Sequence, residues 1–146
     1  MYRNILVAAD GSELSTRAVT HAGGLTRTVG SKLVIVNVTE QAPTFASAEI
    51  GWSVPASVYD DIRKANVDKS RAILKAAVRA SGVSAEMLHI EEQRPFQGIL
   101  EAAERTGADL IVMGSHGHRG LERLILGSQA SKVLSLSAVP VLIIKS

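Results

Sequence analysis

Cysteine is absent from this sequence, and its absence excludes disulfide frameworks, thiolate metal sites and cysteine nucleophiles. Aromatic residues are scarce as well, with two tyrosines, two phenylalanines and one tryptophan among 146 residues. So few aromatic rings offer little surface on which nucleic-acid bases could stack. The 16 basic and 14 acidic residues leave a net charge of only +2 and are scattered along the chain. We therefore expect no binding to nucleic acid.

Long hydrophobic runs are also lacking. No apolar stretch approaches the ~20 residues of a membrane-spanning helix. The first ten residues contain one basic residue and a short apolar run that ends at Asp10, too short for the core of a signal peptide. We therefore expect a cytoplasmic protein without membrane insertion, folded as a single domain over residues 1–146.

Strand-like and helix-like segments alternate along the chain. Short apolar or β-branched runs predict five strands, at 4–9, 32–38, 87–90, 109–113 and 141–144. Apolar positions at helical spacing predict four helices, at 12–30, 57–82, 97–106 and 128–136. This alternation predicts a parallel sheet with helices on both faces and right-handed crossovers. Ligands bind beyond the carboxyl ends of the strands in such sheets, so the loops after the first and fourth strands are the candidate site.

Helix ends are predicted from capping residues and from glycines, with Gly30, Gly82 and Gly107 ending the first three helices. Ser12 is the expected cap of the first helix, and a capping box of the form Ser-x-x-Asp is expected to begin the second helix at Ser57. The connection before it, residues 40–56, contains two prolines and has no period. We interpret it as a lid or a partly disordered loop, with Trp52 as its hydrophobic anchor.

The loop after the fourth predicted strand is rich in glycine, at Gly114, Gly117, Gly120 and Gly127. Ordering a glycine costs backbone entropy, so this density indicates that something approaches the main chain closely. Gly114 would turn the chain off the strand, and Gly117 would expose main-chain N–H groups to a phosphate. Gly127 and Ser128 would begin a helix whose amino end attracts anions. Neither the P-loop pattern nor the dinucleotide fingerprint is present here.

The spacing Gly-x2-Gly-x9-Gly-Ser, followed by an apolar helix and the strand Pro-Val-Leu-Ile-Ile, resembles the nucleotide-binding motif of the universal stress protein family. The segments NILVAADGS, LVIVNVTE and DLIVMGSHG resemble that family's first, second and fourth strands. The resemblance implies a five-stranded, Rossmann-like parallel sheet in the order 3-2-1-4-5, of the adenine nucleotide alpha hydrolase type. It also implies an ATP site, with Mg²⁺ held through the phosphates.

The same resemblance implies two sets of binding residues. The adenine and ribose end would be formed by Ala9, Asp10 and Val38. The ribose and phosphates would be wrapped by Met113, Gly114, Gly117, Gly127 and Ser128.

Several charged or polar residues fit more than one interpretation. Asp10 could contact the ligand or cap the first helix. His116 and His118 could act in catalysis or metal binding, but loop histidines near a phosphate are more often solvated. Arg119 and Arg123 fit a phosphate clamp as well as an ordinary helical surface. We therefore assign no catalytic and no metal-binding residue.

The expected function is that of an ATP-binding stress-response or regulatory switch, which works by binding. The alternative is a slow ATP hydrolase or an (auto)phosphotransfer enzyme, which would need a positioned base and a metal site. A phosphoacceptor receiver domain is set aside because Asp10 is followed by Gly11 and not by a second acid. A flavodoxin-like carrier is set aside because its phosphate loop would follow the first strand.

The last strand, within 139–144, is apolar on both faces and would stand at a sheet edge in the order that the resemblance implies. Exposed edges of this kind invite pairing with another chain. We therefore expect a homodimer joined strand to strand, with a tetramer and a regulatory protein partner left open.

Overall fold

Strands and helices alternate throughout the computed structural model, which describes residues 1–40, 55–91, 93–117 and 125–146. Five parallel strands lie in the order β3-β2-β1-β4-β5. Both the α/β fold class and the predicted strand order are therefore confirmed. The elements are β1 (Asn4–Ala8), α1 (Glu13–Val29), β2 (Lys32–Thr39), α2 (Ala56–Ser81), β3 (Glu86–Glu91), α3 (Pro95–Thr106), β4 (Leu110–Gly114), α4 (Ser128–Leu136) and β5 (Val141–Ile144).

Each face of the sheet carries its own hydrophobic core. On one face, Ile5 and Ile35 pack with buried residues of α1 and α2 such as Leu74. On the other face, Leu6 and Val36 pack with α3 and α4. Because both faces are covered, the central strands are continuous apolar runs and not alternating ones.

Three helices end at glycines in the left-handed region, as predicted. The φ angles are +72° at Gly30, +67° at Gly82 and +65° at Gly107. Only glycine adopts this conformation without a steric penalty, so each of these residues stops its helix. At the other end of α1, the hydroxyl of Ser12 accepts a hydrogen bond from the N–H of Ser15 at 3.2 Å, which confirms Ser12 as the cap.

Two predicted helix starts are wrong, and a proline lies at the observed start of each helix. The second helix has no capping box at Ser57, because α2 already begins at Ala56 with Pro55 as its N-cap. The third begins at Pro95 and not at Gln97. Proline suits the first turn of a helix, where its missing N–H would have no partner. The expected lid, including Trp52, falls largely on residues 41–54, which lie outside the described ranges.

The sheet has one apolar edge at β5, whose four residues are all half-buried. The homodimer predicted from this edge stays a prediction. No helix in the described ranges is long and apolar enough to cross a bilayer.

Candidate functional site

A cavity of about 520 Å³ opens at the carboxyl ends of β1, β2 and β4. Pockets for small molecules have volumes of roughly 300–1,000 Å³, so a nucleotide-sized ligand is compatible with this one. The structure brings all eight predicted binding residues together in its lining, although their role in binding stays a prediction. They are Ala9, Asp10, Val38, Met113, Gly114, Gly117, Gly127 and Ser128.

Asp10 lies in the turn between β1 and α1, where backbone contacts position its carboxylate. Its Oδ1 accepts a hydrogen bond from the N–H of Ser12 at 2.9 Å, and its own N–H donates to the Ser15 hydroxyl at 3.2 Å. A Cβ added to Gly117 would lie 2.6 Å from Asp10 Oδ2. The carboxylate is therefore packed against the glycine loop at the cavity wall, and Ser12, not Asp10, caps the helix.

Two glycines of the loop pack closely against other parts of the chain; Gly127 precedes α4 as predicted, but the role predicted for Gly114 is wrong. Gly114 does not turn the chain, because it is the last residue of β4 and pairs with Ile144. A Cβ there would lie 3.0 Å from Leu14 Cγ. At Gly127 a Cβ would lie 2.7 Å from the Ser115 carbonyl oxygen, which already accepts the Gly127 N–H at 2.8 Å. A Cβ at Gly127 would therefore overlap backbone that cannot easily move, whereas a Cβ at Gly114 would require the Leu14 side chain to shift slightly.

The amino end of α4 forms one part of the cavity wall. Gly127 is its N-cap, and among the described residues no side chain accepts a hydrogen bond from its first turn. Helix N–H groups without a cap, together with the helix dipole, favour an anion at this position. Gln129 orients the neighbouring helix, because its Oε1 accepts the Phe96 N–H at 2.9 Å. This end of the cavity is therefore suited to a phosphate group.

Asn37 is a site residue that the sequence analysis missed. It lines the cavity with an exposed fraction of only 4%, and its Nδ2 donates to the Ala9 carbonyl at 2.8 Å. The available signal was a polar residue within the otherwise apolar run LVIVNV, since buried polar groups need a partner. Helix α2 adds Asn66, Lys69 and Ser70 to the lining, and no sequence pattern marked them.

A second polar contact borders the cavity at the end of β2. Thr39 lines the cavity, and its hydroxyl lies 2.8 Å from His89 Nε2 on β3. Burial lowers the pKa of His89, and the Glu91 carboxylate opposes that shift. His89 therefore has a partner that the sequence did not reveal, and its neutral form is favoured.

Three of the residues with open interpretations fall outside the described ranges, namely His118, Arg119 and Arg123. His116 is described, lines the cavity, and has its Nδ1 3.0 Å from the Ser115 hydroxyl. Over the described parts of the chain, no three His, Cys, Asp or Glu residues come close enough to hold a metal ion. Mg²⁺ held through phosphates stays a prediction.

Comparisons with known proteins agree on one family. The profile of the universal stress protein family matches residues 1–145. The universal stress protein YxiE of Bacillus subtilis is 36% identical over 149 residues, which cover 99% of this chain and all of that protein. A structure from the same family in Burkholderia pseudomallei is 30% identical, with a TM-score of 0.71 and coverage of 99% and 97%. A universal stress protein in complex with cAMP is 25% identical, with a TM-score of 0.69 and the same coverage.

Proposed function

This chain belongs to the universal stress protein family, and we propose on that premise that it binds an adenine nucleotide, ATP above all. One observation carries the proposal: the eight residues of the family-like motif line a single cavity of suitable volume. The cAMP complex of a related protein supports the adenine nucleotide class.

The two ends of the cavity suit the two ends of a nucleotide. Ala9 and Val38 supply apolar surface for a base, and Asp10 supplies a carboxylate that can accept hydrogen bonds from ribose hydroxyls. The amino end of α4 and the Ser128 hydroxyl suit the phosphates. Mg²⁺ commonly binds through substrate phosphates with few protein ligands, so this site needs no protein metal cluster.

The arrangement favours a switch over a catalyst. A binding protein needs only different nucleotide affinities in its two states, whereas phosphoryl transfer needs an aligned base and metal ligands. Hydrogen bonds with Ser12 and Ser15 hold Asp10 within the β1–α1 turn, and the His116 ring lies beside the Ser115 hydroxyl. The protein would act in the cytoplasm as a nucleotide-dependent stress-response switch, and slow ATP hydrolysis or autophosphorylation is the alternative.

Calorimetric titration with Mg-ATP tests the proposal on the parent protein and two glycine variants. In Gly117→Ala the new Cβ would press on the Asp10 carboxylate, and we expect ATP affinity to fall roughly tenfold. Gly24→Ala is the matched control, because a Cβ on that α1 residue meets nothing within 4 Å. It should keep the affinity of the parent.

Three results would count against the proposal or refine it. Absence of ATP binding by the parent would refute it, and unchanged affinity in Gly117→Ala would place the site elsewhere. Incubating the loaded protein with magnesium separates the two modes of action. Retained ATP supports the switch, and prompt formation of ADP or of phosphorylated protein supports the enzyme.

A further inference from the structure

Part of the cavity wall is apolar and belongs to the core between the sheet and helices α3 and α4. Val38 of β2 and Ile99 of α3 are both members of this core, and both line the cavity. Apolar surface of this kind suits the flat ring of a base, which carries no charge, better than it suits a phosphate. The α3–α4 side of the cavity is therefore the side on which a base can pack.

Gly98 lies behind this wall, near the start of α3, and is buried. A Cβ added there would lie 2.6 Å from each of the two methyl carbons of Val38. Carbon atoms of different side chains pack best at separations of about 3.5–4.0 Å, so the valine already fills the space that such an atom would need. The Val38 side chain thus packs directly on the α3 backbone at Gly98 and also lines the cavity.

Glycine at this position has no local explanation. It is one of the poorest helix formers, yet Gly98 lies inside α3, where its N–H donates to the Arg94 carbonyl oxygen at 3.0 Å. Gly98 is not one of the glycines that adopt a positive φ. Neither a turn nor a left-handed conformation therefore requires glycine here, and the close approach to Val38 is the reason that remains.

An alanine at position 98 could be accommodated only by moving Val38 or the helix. The added carbon would also lie 3.2 Å from Val38 Cβ, so turning the valine about its Cα–Cβ bond would not remove the overlap. The start of α3 is itself held to α4, because Gln129 Oε1 accepts the Phe96 N–H at 2.9 Å. A methyl group at position 98 would therefore displace Val38, and with it part of the cavity wall.

We infer that Gly98 is a positioning residue for the base of the bound nucleotide, an inference that rests on the proposed function. Gly98 is not among the described residues that line the cavity, so its effect on the ligand passes through Val38. By leaving room for the valine against α3, it fixes where the apolar surface for the base lies. Such packing is sensitive to small displacements, since a gap of roughly 0.5–1 Å already loses a quarter to a half of the attraction.

A double-mutant cycle, measured by calorimetric titration with ATP, tests the inference. Gly98→Ala should lower the ATP affinity about tenfold, because the new methyl group displaces Val38. In the Val38→Ala background both valine methyl carbons are gone, so the same replacement should change the affinity by less than about threefold. Gly23→Ala is the matched control, because its Cβ overlaps the Ser81 carbonyl oxygen but Gly23 is not one of the described lining residues. It should keep the affinity of the parent, with the fold of every variant verified by circular dichroism.

Inorganic triphosphate separates an effect on the base from damage to the whole cavity, because it carries phosphates without a base. Its affinity, measured by displacement of ATP, should be the same in the parent and in Gly98→Ala. An equal loss of affinity for both ligands would show a general structural role and would overturn the inference. Unchanged ATP affinity in Gly98→Ala, or an equal effect in both backgrounds, would overturn it while leaving the proposed function intact. Failure of the parent to bind ATP would overturn both.

Discussion

Asp109 joins the start of β1 to the start of β4 through backbone hydrogen bonds. Its carboxylate accepts the N–H of Arg3 at 2.8 Å and the N–H of Asn4 at 3.0 Å. The Arg3 bond lowers the pKa of Asp109 below its ordinary value of 3.8, burial opposes this shift, and the Asn4 bond adds to it. The native state therefore favours the ionised carboxylate.

Replacing Asp109 with asparagine should destabilise the fold, because an amide cannot accept at both positions. Since the folded pKa is depressed, the contribution is present above about pH 4 and is lost as the pH falls through the folded value. For this partly exposed group we expect a loss of about 1 kcal/mol at pH 7. Urea unfolding of the parent and of Asp109→Asn, at pH 7 and in acid, measures this loss of unfolding free energy. Asp68→Asn, at an exposed position of α2, is the control. If the parent and Asp109→Asn differed in unfolding free energy by the same amount at both pH values, the electrostatic explanation would be contradicted.

The elements could be predicted from the sequence wherever local chemistry decides the conformation. Strands β1, β2 and β4 are apolar because both sheet faces are covered, and left-handed glycines stop three helices. The first residues of helices were harder to predict where the helix begins at a proline without a polar cap, as at Pro55 and Pro95. Glycine spacing located the cavity and the start of α4 at Gly127, yet it gave the wrong reason for Gly114. Ser70 could not be found, because its place depends on how α2 packs over β2 and not on any local pattern.

Two adjacent glycines of α1 differ in how closely α2 approaches them. Gly23 is buried, and a Cβ there would overlap the Ser81 carbonyl oxygen at the end of α2. At Gly24 a Cβ would meet nothing within 4 Å. Two positions in one helix thus differ only in whether the neighbouring helix leaves room for a methyl group.

Alanine at these two positions should change stability in opposite directions. Gly23→Ala must push the helices apart against rigid backbone, which we expect to cost about 1–3 kcal/mol of unfolding free energy. Gly24→Ala should be neutral or should stabilise by up to about 1 kcal/mol, because alanine is the better helix former. Urea-induced unfolding followed by circular dichroism compares the two variants directly. Equal stabilities would show that the helix crossing is looser than the structure indicates.

At the scale of the whole molecule, β5 forms one edge of the sheet and pairs only with β4 among the described strands. The carbonyl groups of Pro140 and Ile144 accept hydrogen bonds from Ile111 and Ser115 beside them. Because hydrogen-bonding direction alternates along a strand, Val141 and Ile143 direct their N–H and carbonyl groups away from β4. Leu136, just before this strand, is 61% exposed. The homodimer that the sequence predicts through this edge stays a prediction.

Two substitutions at Ile143 separate the backbone from the side chain in this predicted dimer. Both lose the packing of the isoleucine against the α3–α4 core, but only proline also removes the outward N–H. If the two copies pair edge to edge, sedimentation velocity should show a dimer for the parent and for Ile143→Ala, and a shift towards monomer for Ile143→Pro. Circular dichroism would verify that both variants keep the fold. A monomeric parent would refute the dimer, and a dimeric Ile143→Pro would place the interface elsewhere, because proline cannot supply the hydrogen bond that strand pairing at this position requires.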